Sequence, residues 1–251
     1  MTATALEELA LPPELSSALE RLAAELTAAA GENLKSLVLY GGLARGRYRP
    51  GRSDVNVAVV LADAGASELE KLAPALRAAW RSVRADPFII LAAEIPRVLD
   101  VFPTKLLDIQ SRHVLLAGAD LFQGLEVRPE DVRRRAEQEL RNLSMRMRRT
   151  YVSIHDDPAA LARSLAEVAR PLALQLATLL DLSGRELPAE DRSAAIFAAS
   201  AEPFGLDARV LARVAELRQQ PAAQDGMASL YAQAMEQVAR AAEVADRMET
   251  R

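Results

Sequence analysis

The sequence predicts an α+β protein: a small mixed sheet with flanking helices over residues 1–128, then an all-helical domain over residues 129–251. Three observations predict it. Two short β-branched and apolar runs, Leu34–Tyr40 (LKSLVLY) and Asp54–Leu61 (DVNVAVVL), flank one loop rich in glycine and arginine. Strand signals vanish from Pro129 onward, where the apolar period becomes helical. Ala, Leu and Arg are abundant, and they lose little side-chain freedom in a helix.

The first element follows Pro12-Pro13: Leu15, Leu19, Leu22 and Leu26 recur at spacings of 4, 3 and 4, one face of an amphipathic helix that ends near Gly31. Leu34–Tyr40 then reads as a short buried strand, broken at once by Gly41-Gly42. Asp54–Leu61 is the strongest strand signal, bounded by Gly51 and by Asp63-Ala64-Gly65. Ser67–Val83 reads as a helix with Leu69, Leu72, Leu76 and Trp80 along one side. Phe88–Leu91 is a third strand, Glu94–Asp108 is helical or mixed, and Arg112–Leu116 is one more strand at the sheet edge. Five helical segments follow at about 130–154, 158–182, 189–200, 207–219 and 226–248. Pro158, Pro188 and Pro221 sit at or near helix starts, whereas Pro171 falls inside a helical pattern and is expected to kink or split it.

Composition narrows the function. A chain of 251 residues can bury a substantial core as one large domain or two ordinary ones. Half of it is apolar, yet no apolar stretch approaches the roughly 18 residues a membrane helix needs. The first residues lack a basic region followed by an apolar run, so no export signal is read and the cytoplasm is the expected compartment. Zero cysteines exclude disulfides, thiolate metal sites and cysteine nucleophiles, and two histidines cannot build a histidine-rich cage. Any metal would sit on carboxylates. A net charge of -4 argues against a generally basic nucleic-acid binder, although local patches remain open.

The chemistry concentrates in Leu39-Tyr40-Gly41-Gly42-Leu43-Ala44-Arg45-Gly46 and in Ser53-Asp54-Val55-Asn56-Val57. Two glycines at a strand end let the backbone approach a phosphate closely, and N–H groups of a helix starting there can bind its oxygens. Asp54 and Asn56 are two apart on a strand, so their side chains share a face, as two ligands of one cation must.

This stretch resembles the nucleotidyltransferases of the DNA polymerase beta superfamily, whose pattern is Gly followed by Gly or Ser, about ten residues, then two acidic residues one apart among apolar neighbours. Gly41, Gly42 and Asp54 match it, and Ala44-Arg45-Gly46 and Ser53-Asp54 resemble the small bacterial members. The clear motif covers under an eighth of the chain; a weaker likeness continues through Asp86–Leu91 and through Arg112–Asp120. The resemblance implies a nucleoside triphosphate and Mg²⁺, with Gly41, Gly42, Arg45 and Ser53 on the nucleotide, Asp54 and Asn56 on the metal, and Asp54 and Asp86 as the catalytic carboxylates. It further implies a nucleotidyl group passed to a hydroxyl of an unidentified small-molecule or protein acceptor, the helical domain completing the acceptor pocket as in aminoglycoside nucleotidyltransferases.

One departure matters as much as the match. The second acidic position is Asn56, whose amide oxygen can coordinate a hard cation but brings no charge, so metal affinity should fall. The third carboxylate of the superfamily helps to activate the attacking hydroxyl, and Asp86, directly before Pro87, is the nearby candidate here. With fewer carboxylates, the ion that activates the nucleophile should suffer most. Blander roles stand beside each residue: Gly41-Gly42 as an ordinary turn, Asp54 as a loop cap, Asn56 as a solvent-facing strand residue, Asp86 as structural. The rival reading is therefore a nucleotide-binding or protein-interaction module with a decayed metal site. A third is a helical scaffold that binds a partner through residues 130–251.

Arg45, Arg47, Arg49 and Arg52 fall within eight residues, enough charge for a triphosphate or a nucleic-acid backbone, or simply a solvated loop. Arg133, Arg134, Arg135, Arg141, Arg146, Arg148 and Arg149 make one helix basic against Glu137 and Glu139, most simply as an exposed face. Nucleic acid is not the favoured partner. His155 lies six positions after Arg149, a spacing resembling HEPN-domain ribonucleases, but so many arginines make that coincidence cheap. His113 lies in an apolar run, and Asp108, Asp120 and Glu126 have no motif that elevates them.

Overall fold

The computed structural model describes residues 9, 11–46, 48, 54–188, 193–223 and 225–250. The chain falls into two compact units, Met1–Val127 and Arg128–Arg251.

In the first unit, strands β1 (Leu34–Tyr40), β2 (Val55–Leu61), β3 (Ala85–Leu91) and β4 (His113–Gly118) form one mixed sheet in the order β3-β2-β1-β4. β1 runs antiparallel to β2 and β4, while β2 and β3 are parallel. A parallel pair needs a crossover, and helix α2 (Ala66–Val83) makes it. Helices α1 (Pro13–Ala30) and α3 (Pro103–Ser111) complete the unit.

The period of two along each strand divides the side chains between two layers. Leu37, Leu39, Val57, Val59 and Leu61 pack with Leu15, Leu19, Leu22 and Leu26 of α1 and with Leu72, Ala75 and Ala79 of α2. Val38, Tyr40, Ala58 and Val60 pack on the other face with Leu106 and Ile109 of α3 and with Phe122. β1 and β2 are covered on both faces, which explains their nearly continuous apolar sequences.

One expectation on α2 is overturned: Trp80 does not line the buried side but is 46% exposed. Ala75 and Ala79 take that side, because small residues let the helix lie close to the sheet. The segment expected to be mixed at 94–108 resolves into a 3-10 turn, Ile95–Arg97, and α3, which opens with Pro103 in the first turn, where a missing N–H is harmless.

The second unit contains α4 (Pro129–Ile154), α5 (Pro158–Leu182), α6 (Ser193–Ala201), α7 (Ala208–Gln219) and α8 (Met227–Arg247). Its core joins Leu140 and Met147 of α4, Leu165, Leu172 and Leu176 of α5, Phe197, Leu211, Tyr231 and Val238. Asp157 caps α5 by accepting the N–H groups of Ala159 and Ala160, and Asp207 caps α7 in the same way. Pro171 does not split α5, which runs on through it; the turn after the proline is held by the buried Leu172 and Leu176.

The basic run on α4 is largely paired along the helix. Arg133 meets Glu130 and Glu137, Arg134 meets Glu130, Arg135 meets Glu139 and Arg141 meets Glu137. Arg133 is a structural residue, its side chain 11% exposed and its Nη1 donating to the Ala245 carbonyl at 2.7 Å. Arg146, Arg148 and Arg149 are exposed. His155 caps the end of α4 and lies 6.1 Å from the ring of Tyr151. Among the described residues no helix is long and apolar enough to cross a membrane.

Candidate functional site

β1 stops at Tyr40 because Gly41 turns into the left-handed region, φ +76. Residues 41–46 form a turn closed by the Arg45 N–H on the Gly41 carbonyl at 3.2 Å and the Gly46 N–H on the Leu43 carbonyl at 3.0 Å. Buried Leu43 and Ala44 anchor it in the core. No helix begins at the glycines, contrary to expectation: Gly46, at φ +71, leaves the helical region after a single turn. A Cβ added to Gly41 would lie 2.9 Å from Nδ2 of Asn56, so the missing side chain lets that amide rest on the turn.

Strand register assembles the rest. Tyr40 faces Asn56 on β2 and His113 on β4, and Asn56 faces Asp86 on β3. Asp86, Asn56, Tyr40 and His113 therefore form one row across the sheet, and Asp54 precedes Asn56 by two. The charge of Asp86 is felt at Tyr40, whose phenol is pushed up to about 12, first by burial and then by that carboxylate.

Helix α3 ties down both ends of the turn. Lys105 Nζ donates to Tyr40 Oη at 3.1 Å and lies over the Tyr40 and Phe88 rings at 5.4 and 5.2 Å. One turn later, Asp108 pairs with Arg45. Neither α3 residue is elevated by sequence reasoning; their only signal is two opposite charges three apart on a short helix.

Asp54 is held from the end of α2. Arg84 Nε donates to Asp54 Oδ1 at 2.8 Å, the Arg84 carbonyl accepts the Val55 N–H at 3.1 Å, and the guanidinium lies 5.6 Å from the Trp80 ring centre. His113 has a structural place: Nδ1 faces the Ile109 carbonyl at 2.8 Å and Nε2 faces Asp120 Oδ2 at 2.9 Å. Asp120 Oδ1 accepts the N–H groups of Phe122 and Gln123. Burial by itself would raise the Asp120 carboxyl, but the hydrogen bonds from His113 and these two amides outweigh it and hold the group below its ordinary value. Ser53, and with it Arg47, Arg49 and Arg52, lies outside the described residues.

The donor set suits a hard cation in kind. Asp54, Asn56 and Asp86 offer two carboxylates and an amide oxygen, and magnesium is commonly held by one or two carboxylates with waters and phosphates. Among the described residues no three His, Asp or Glu side chains gather as a metal cluster.

No protein-family model and no curated protein matches this chain. Seven solved chains match its structure. Among them is spectinomycin adenyltransferase AAD(9) from Enterococcus faecialis, solved with ATP and spectinomycin, at a TM-score of 0.57 and 14% identity, covering 90% of this chain and 98% of that one. At this identity the likeness establishes the fold, an α+β sheet domain followed by a helical C-terminal region, the class expected from the sequence.

Proposed function

We propose that this protein is a nucleotidyltransferase that binds a nucleoside triphosphate with Mg²⁺ at the turn 41–46 and passes the nucleotidyl group to a hydroxyl of a small molecule. The observation that carries this reading is the parallel register of Asn56 with Asp86, which brings a second carboxylate beside Asn56, the residue that rests on the glycine turn. In this reading the backbone of Gly41 and Gly42 approaches the phosphates, and Arg45, oriented by Asp108, adds positive charge. Asp54 and the Asn56 amide face the cation. Asp86 accepts the proton of the acceptor hydroxyl as its oxygen attacks the α-phosphorus and pyrophosphate leaves. When bound, magnesium supplies charge neutralisation at the phosphates. The cytoplasm, with its nucleoside triphosphates, is the compartment this reading implies. ATP and spectinomycin, the ligands solved with AAD(9), are the first pair to try.

The test is a thermal midpoint with each nucleoside triphosphate in Mg²⁺ and again in chelator. At a hundredfold excess over its dissociation constant a ligand adds about 2.7 kcal/mol, a rise of roughly 5–10 °C for a chain of this size. Asp54→Ala should abolish the magnesium-dependent part; retention of full nucleotide affinity and activity in that variant rules the site out.

A second reading, a nucleotide-binding or protein-interaction module with weakened catalysis, is favoured by the uncharged Asn56 and by the ion pair of Asp54 with Arg84. Asn56→Asp separates the two. It raises metal affinity and turnover where only a ligand is missing, and changes neither where the pocket is lost.

A further inference from the structure

Among the described residues, Asp54 is the member of the Asp54, Asn56 and Asp86 set whose side chain is already bonded, and its partner stands in an unusual place. Arg84 has φ +56, the only non-glycine residue in the left-handed region among those described. That conformation disfavours a side chain, and a glycine would satisfy the end of α2 without strain. The arginine is nevertheless used at three points. Its N–H caps the helix on the carbonyls of Ala79 and Trp80, its carbonyl holds the Val55 N–H, and its guanidinium reaches Asp54 while lying over the exposed Trp80 ring. The strained backbone thus aims a positive charge at the carboxylate that would meet a cation first.

We propose that Arg84 is a specificity-determining residue that excludes free divalent cations from Asp54 and reserves this carboxylate for a cation arriving with a triphosphate. The inference rests on the nucleotide and cation reading of the site given above. Asn56 leaves two carboxylates in the set, and the Arg84 charge offsets one of them, so a bare divalent ion meets a weakly negative site and must also displace the guanidinium. A magnesium–triphosphate complex carries net negative charge, so the same guanidinium attracts it. Both members of the ion pair are substantially exposed, at 59% and 47%, so the exchange is shallow and reversible.

The test is Mn²⁺ binding to the full chain without nucleotide, read from the loss of the free-ion EPR signal, for wild type, Arg84→Gly, Arg84→Asn and Arg84→Lys, each with and without Asp54→Asn. Glycine and asparagine both tolerate the left-handed backbone, so two variants remove the charge without adding strain. Arg84→Gly and Arg84→Asn should bind Mn²⁺ about two- to fivefold more tightly than wild type, the gain vanishing with Asp54→Asn and absent in Arg84→Lys. If neither binds more tightly, although Asp54→Asn shows that wild type holds Mn²⁺ at Asp54, the role of Arg84 is overturned and the site reading survives. If Asp54→Asn changes Mn²⁺ binding in no background, the site reading itself falls.

Discussion

Gly41→Ala perturbs the turn in two ways whose sizes can be separated. At φ +76 an alanine must hold a left-handed conformation, which costs about 1–2 kcal/mol. The new methyl also lies 2.9 Å from Nδ2 of Asn56, a contact with the free end of a side chain. The amide relieves it by rotating, at about 0.5–1.5 kcal/mol if it leaves a rotamer well and at less if it finds another. The backbone contribution therefore dominates stability, while the displaced amide dominates function. For a unit of this size the midpoint should fall by about 4–8 °C. Calorimetry with a urea series is the suitable assay, because two compact units need not unfold together. In an Asn56→Ala background most of the loss should persist, with a coupling below about 1 kcal/mol, whereas the magnesium-dependent nucleotide shift should be lost in Gly41→Ala alone. A loss under about 0.5 kcal/mol, or one that disappears when Asn56 is truncated, refutes the geometry.

Asp86→Asn should lower the Tyr40 midpoint from about 12 while leaving it above 10.0, since burial is the larger cause; an unchanged tyrosinate titration removes Asp86 from the row. The hydroxyl of buried Tyr231 donates to the Met147 carbonyl at 3.3 Å and meets Ser164 Oγ at 3.2 Å, so Tyr231→Phe should destabilise the helical unit by about 1 kcal/mol in urea unfolding. Arg133, then Thr250 and Arg134, hold Glu130 at about 2 against an ordinary 4.5, and Asp120 is likewise depressed. A depressed carboxyl stabilises the fold above its ordinary value and loses that contribution as pH falls through the folded one. Thermal midpoints should accordingly decline from about pH 4.5 towards 2, and less so in Glu130→Gln and Asp120→Asn.

Local periodicity made much of the fold legible. The leucines at 15, 19, 22 and 26 are all buried on α1, and the two apolar runs around the glycine loop are β1 and β2. Trp80 was misleading because apolar spacing marks a face without saying which residues on it are small enough to touch the sheet. The helix expected at the glycines failed for a similar reason, since Gly46 permits a left-handed exit that a motif does not reveal.

At the site, a spacing of two relates Asp54 to Asn56 along the chain, whereas Asn56 reaches Gly41 through the antiparallel pairing of β2 with β1. The remaining partners come from far along the chain: Asp86 by parallel pairing across a helix, Arg84 from the end of that helix, Lys105 and Asp108 from α3. Backbone preference and hydrophobic period act over a few residues, so the sequence by itself determined the elements and the chemical character of the loop. Which distant charges meet that loop depends on sheet order and register, and those are decided only when whole faces are buried together in the tertiary structure.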